Sequence, residues 1–171
     1  MCGIVGYIGP RPASGILLEG LRRLEYRGYD SAGIATVDGG LERRRAVGKV
    51  AALAEAVGAE PVAGTVGIAH TRWATHGAPT EANAHPHVDA SSAIALVHNG
   101  IIENHASIRA LLEQDGIQMA SETDTEALVQ LIGHHYRQSL DFEIAVRSAL
   151  GEVRGTRVRR LAGMGPPEPE T

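Results

Sequence analysis

A single cysteine among 171 residues rules out an internal disulfide and fits a reducing compartment. Long apolar runs are missing as well. Stretches such as Ile94–Val97 fall far short of the roughly 20 residues a membrane-spanning helix needs. No basic segment leads into an apolar stretch at the start of the chain, so no secretion signal is read there. There is no long basic stripe, and the formal net charge is -4, so nucleic acid is not an expected partner. Repeats of solenoid period are absent too. What is present is ordinary for a folded protein: 43% hydrophobic and 21% charged residues. The length fits one domain, and a complete fold of this size buries roughly 70% of its extended-chain surface. The expectation is a cytoplasmic globular protein.

Hydrophobic spacing gives the element order. Gly3 to Gly9 is a short apolar run closed by Gly-Pro, read as a buried strand. Leu17, Leu18, Leu21 and Leu24 recur at helical spacing, so Ser14–Tyr26 reads as an amphipathic helix. Ala32–Val37 and Leu41–Val47 flank Asp38-Gly39-Gly40, a hairpin pattern. A short alanine-rich helix follows over Lys49–Val57. Thr65–Thr71 and Ala93–His98 read as strands, and the proline- and histidine-rich stretch between them as a loop. Ile108, Leu111 and Leu112 predict a helix after Asn104. Thr123 and Glu126 have the form of a capping box opening the next helix, and Asp141–Leu150 reads as another. Paired strands with helices between the groups indicate a layered α+β class more than alternating βαβ units.

Cys2 lies directly behind the initiator methionine. If Met1 is removed, one residue carries a sulfur nucleophile and a free α-amino group. An α-amine titrates near neutral pH, so it can serve as the base for its own thiol. A cysteine in second place can also be inert, and position alone does not decide between these. The rest of the sequence does. CGIVGYIG opens the chain, followed in order by LEYRGYDSAGIA (Leu24 to Ala35), GIAHTRWATHG (Gly67 to Gly77), NAHPH (Asn83 to His87), HNGIIEN (His98 to Asn104) and SETDTE (Ser121 to Glu126). Together these motifs resemble the class II glutamine amidotransferases, and within them the N-terminal glutaminase domain of the glutamine–fructose-6-phosphate aminotransferases, also called glucosamine-6-phosphate synthases.

The resemblance implies an N-terminal-nucleophile hydrolase fold, a four-layer αββα sandwich of antiparallel sheets, and hydrolysis of L-glutamine to glutamate and ammonia. It implies Cys2 as nucleophile, with Asn99 (side-chain amide) and Gly100 (backbone N–H) as oxyanion donors. By the same resemblance Arg72 grips the glutamine carboxylate and Asp124 its ammonium. Thr75, His76 and Gly77 belong to the glutamine pocket, Trp73 to a mobile loop over the substrate, and Arg27 and Gly28 to the nucleophile's end of the pocket. The chemistry agrees: attack on an amide builds an oxyanion that needs fixed donors, and arginine offers a carboxylate a two-pronged grip. No cofactor is implied. No metal is expected either, since His70, His76, His85 and His87, and the His134-His135 pair, lack zinc-type spacing.

The resemblance runs to about Thr156, so residues 1–156 are expected to form a partial amidotransferase domain, incomplete at its C-terminal end. Residues 157–171, an arginine cluster and then a Pro/Glu segment, are expected to be a disordered tail. The sugar-isomerase domain that takes ammonia to fructose 6-phosphate in the family is not in this chain. A non-catalytic remnant that at most binds glutamine, and the amidophosphoribosyltransferase branch, are the alternative readings.

Overall fold

Residues on Ser31–Val37 alternate between two cores, and that alternation sets the architecture. Ala32 and Ile34 pack with Ala69 against Leu17, Leu21 and Leu53 of two helices. Ala35 instead meets Ile68, Ala95 and Val97. A strand apolar on both faces must be covered on both faces, and here helices cover one side and a second sheet the other. The computed structural model describes residues 2–73, 77–155 and 160–164, the last stretch through its backbone.

The first sheet runs in the order β1 (Gly3–Ile8), β4 (Val66–Arg72), β2 (Ser31–Val37) and β3 (Leu41–Val47), with all neighbours antiparallel. Helices α1 (Ala13–Leu24) and α2 (Val50–Ala59) cover its outer face. The second sheet, also antiparallel, has the order β5 (His87–Val88), β6 (Ala95–Asn99) and β7 (Arg160–Met164). Its outer face packs Ile94 and Leu96 against α3 (His105–Gln114), α4 (Asp124–Ser139) and α5 (Phe142–Glu152). The result is the four-layer αββα sandwich that the motifs implied. No helix among the described residues is long and apolar enough to cross a membrane.

Sequence expectation and structure differ in three places. The loop read between Thr71 and Ala93 contains the two-residue strand β5. Five residues of the segment expected as tail form β7, registered with β6 from Ala95↔Met164 to Asn99↔Arg160. Strand pairing uses backbone groups, so a short stretch directly behind an arginine cluster joins a sheet without a strong apolar pattern to announce it. The capping box is half formed. Thr123 Oγ1 accepts from the Glu126 amide at 3.2 Å, but the Glu126 carboxylate accepts from the Ala120 and Ser121 amides at 2.7 and 2.6 Å.

Edge strand β3 is rich in arginine, a common guard against edge-to-edge pairing, and its side chains also bind the chain down. Arg45 donates to the carbonyls of Ala82 and Ala84, and Arg43 to that of Pro86. The 82–86 segment thereby lies on β2 at Gly33, where any Cβ would overlap the His85 carbonyl oxygen.

Candidate active site

Cys2 precedes β1, and the β1–β4 pairing carries it to the end of β4. Gly3 donates its amide to Thr71 Oγ1 at 3.1 Å. The Trp73 amide then donates to Cys2 Sγ at 3.4 Å. Sequence position 2 and sequence position 73 thus meet at one rim of the sandwich. Gly28 closes that rim from below: a Cβ there would lie 2.8 Å from both the carbonyl carbon and oxygen of Arg72 and 3.0 Å from the Trp73 nitrogen. Trp73 is half exposed and meets Tyr29 edge-on, with ring centroids 5.3 Å apart. It is a rim residue and not the core packing its hydrophobicity alone would suggest.

Asn99 ends β6 and donates its side-chain amide to the Cys2 carbonyl at 3.5 Å. The second sheet therefore delivers Asn99 and the following Gly100 to the same place as Cys2. Arg72 ends β4, 5% exposed, and its guanidinium donates to the carbonyls of Ala78 and Gly77 at 3.3 and 3.4 Å. Burial lowers the Arg72 pKa, while negative charge at Cys2, Asp30 and Asp124 opposes that shift. Cys2, Asp30 and Asp124 thus lie within electrostatic reach of one guanidinium at this rim. Asp124 opens α4, where the helix dipole favours a carboxylate, and its Oδ2 accepts the Ile102 amide at 2.9 Å.

The structure thus brings Cys2, Gly28, Arg72, Trp73, Gly77, Asn99 and Asp124 into one neighbourhood. Arg27 sits beside Gly28 with its Nε buried and without a hydrogen-bond partner among the described residues. Thr75 and His76 lie outside the described residues. Sequence reasoning passed over Asn83, which ties Ala78 to Glu122. Its Nδ2 donates to Ala78 O at 3.0 Å and to Glu122 Oε2 at 3.2 Å, and its Oδ1 accepts the Glu122 amide at 2.9 Å. The NAHPH motif contained that signal, but nothing in the motif named its partner 39 residues away.

His70, His85 and His87 form a buried group next to this rim. The rings of His70 and His85 stack at 4.2 Å, and His87 meets His85 edge-on at 4.8 Å. Burial, then neighbouring cationic groups, lowers all three pKa values, that of His70 to about 3. No cluster of three or more His, Cys, Asp or Glu suited to a metal ion occurs among the described residues.

A family model described as a glutamine amidotransferase domain matches residues 57–144. The chain is 55% identical over 157 residues to a glutamine–fructose-6-phosphate aminotransferase (isomerizing) of Pseudomonas syringae pv. tomato, covering 91% of this chain and 26% of that protein. It is 57% identical over 156 residues to the Thermus thermophilus protein of the same name, with the same coverage. The chain spans about a quarter of the length of the relatives it matches. Among solved structures, the Bacillus subtilis glutamine phosphoribosylpyrophosphate amidotransferase superposes with a TM-score of 0.78 at 26% identity, over 96% of this chain and 35% of that one. A structure titled as the allosteric regulatory enzyme of purine biosynthesis gives 0.80 at 26% identity, over 95% of this chain and 34% of that one. Motif order, layer order and the matched family model agree, and the chain belongs to the glutamine amidotransferase domain family.

Proposed function

We propose that this chain is the glutaminase part of a glucosamine-6-phosphate synthase and splits the side-chain amide of L-glutamine through Cys2. With Met1 removed, the Cys2 α-amine takes the thiol proton as Sγ attacks the amide carbon. Asn99 Nδ2 and the Gly100 amide hold the oxyanion, and stabilising charge that develops only in the transition state is what raises the rate. The same amine returns the proton to the departing nitrogen, ammonia leaves, and water releases glutamate from the γ-glutamyl thioester. Arg72 holds the substrate carboxylate and Asp124 its ammonium. Thr75, His76 and Gly77 line the pocket, Trp73 covers it, and Arg27 and Gly28 frame the nucleophile's end.

The observation that carries this reading is the meeting of Cys2 with both Trp73 and Asn99, from sequence-distant strands of two sheets. The identity of 54–57% to the aminotransferases supports the hexosamine branch over the phosphoribosyl branch, whose solved structure stands at 26%. Ammonia would pass to a sugar-isomerase domain that aminates fructose 6-phosphate, in the cytoplasm, where a lone free thiol is at home. We assign residues 1–156 to the amidotransferase domain, with β7 adding an edge to its second sheet. Glutamate release by the chain, measured beside a Cys2→Ala control, tests the reading. Turnover that falls by at least a thousandfold in the variant is expected. Turnover no higher than the control would favour a glutamine-binding remnant without catalysis.

A further inference from the structure

The turn from His98 to Ile102 is fastened at both ends to the first residues of α4. At its far end the Ile102 amide donates to Asp124 Oδ2 at 2.9 Å. At its near end His98 Nδ1 lies 3.3 Å from Thr125 Oγ1, inside the protein. Asn99 and Gly100 fall between these two ties. The imidazole also props the turn directly. A Cβ on Gly100 would lie 2.6 Å from His98 Nε2, 3.1 Å from Cε1 and 3.6 Å from Cδ2, so the ring edge rests against the Gly100 backbone. His98 is 3% exposed.

The Thr125 hydroxyl lies within hydrogen-bond reach of both the His98 ring and the Asp124 carboxylate. A carboxylate is the stronger acceptor, so the hydroxyl donates to Asp124 Oδ1 at 3.4 Å and its oxygen accepts from His98 Nδ1–H. Nε2 is then a bare acceptor, buried with no partner among the described residues. Burial lowers the His98 pKa, opposed by the Asp124 charge. A second hydrogen on Nε2 would face Gly100 with nothing to accept it.

We propose that His98 is a positioning residue for the oxyanion turn, its Nδ1–H fixed by Thr125 and its ring holding Gly100 in place. The role rests on the glutaminase reading, because the turn matters to rate only if Asn99 and Gly100 receive the oxyanion. It makes the oxyanion donors and the ammonium acceptor Asp124 one unit, since Thr125 and Asp124 are neighbours on α4. Thr125 itself touches no substrate, so its variants report the tie to His98 through kcat, and any effect through its bond to Asp124 Oδ1 shows in KM. Loss of an interaction that serves the transition state lowers kcat and leaves KM near its starting value.

The test combines kinetics with a readout that needs no turnover. In the full chain, Thr125→Val should lower kcat for glutamine at least tenfold with KM within threefold, and Thr125→Ser should restore kcat to within threefold of the unaltered chain. His98→Leu should match Thr125→Val or exceed it. Imidazole nitrogen-15 shifts of the unaltered chain between pH 6 and 8 should show His98 protonated on Nδ1 alone. The Asn99 and Gly100 amides should exchange at least tenfold faster in Thr125→Val. An Nε2–H tautomer, unchanged kcat, or a rise in KM alone would overturn the proposal. Should the unaltered chain turn over no faster than Cys2→Ala, the glutaminase reading fails, and the tautomer and exchange results decide whether the tie to Thr125 exists.

Discussion

Gly28 shows how one missing methyl group shapes the site. Its backbone is extended, with φ -174° and ψ 137°, a conformation open to any residue. Glycine is required there only because the end of β4 passes so close, within 2.8 Å of where a Cβ would sit. Gly28→Ala must therefore push the backbone of Arg72 and Trp73 outward, and with it the amide that binds Cys2 Sγ. Overpacking of this kind costs about 1–3 kcal/mol. Glutamine turnover should fall at least tenfold, and the melting temperature by several degrees, as measured by thermal unfolding and a glutaminase assay. Unchanged values for both would mean that the rim yields freely. The identities of the residues gathered at this rim were readable from the motifs, which single out Cys2, Arg72, Trp73, Asn99 and Asp124. Their meeting was not, since Cys2 reaches Trp73 only through the β1–β4 register.

Elements with strong periodicity were legible, and those held by backbone alone were not. The leucines of α1 face Ile34 and Ala69 as their spacing requires. The hairpin β2–β3 closes at Asp38–Gly40 as its turn residues predict, with Gly39 at φ +69°. β5 escaped notice because two residues beside a proline carry no period, and β7 because five residues between an arginine cluster and a proline-rich segment carry none either. Helix α4 carries one conformational cost that periodicity does not reveal. It ends at Leu140 with φ +54°, a left-handed position that glycine fills without steric penalty. Leu140 is 73% exposed, so its side chain contributes little packing there. Leu140→Gly should stabilise the fold by up to about 1 kcal/mol, set by the cost of a left-handed residue with a Cβ. That gain raises the melting temperature by about 2–4 °C for a chain of this size. A drop in melting temperature would show that the leucine packs more than its exposure indicates.

Across the whole molecule, the interior beside the Cys2 rim is built from neutral histidines and from arginines that are buried or half-buried. His70, on β4, and His85 and His87, on the crossing into the second sheet, keep each other and Arg72, Arg43 and Arg45 as neighbours. Their folded pKa values lie below the unfolded value near 6.5, for His70 down to about 3. The unfolded chain therefore binds more protons between those limits. Stability should be complete above about pH 6.5 and should decline as pH falls from there toward 3, at about 1.4 kcal/mol per pH unit for each such histidine. Denaturant unfolding at pH 7 and pH 5 measures this directly. Equal unfolding free energies at the two values would mean that these rings protonate without opening the interior.

The αββα order serves the site by bringing the ends of β4 and β6 together at one rim, with the start of the chain between them. That juxtaposition has a direct chemical signature. The chain, with Met1 removed, is incubated with an electrophilic analogue of glutamine that keeps the amino-acid head group, and its intact mass and peptide map are recorded. One adduct per chain, on Cys2 sulfur, formed with saturable kinetics and blocked by excess glutamine, is the expected result. In Arg72→Ala the saturation should be lost, while a small uncharged thiol reagent should still label Cys2. Labelling of Cys2 that glutamine does not protect, or that Arg72→Ala leaves saturable with unchanged affinity, would contradict the assignment of this rim as a glutamine site with Cys2 as its nucleophile.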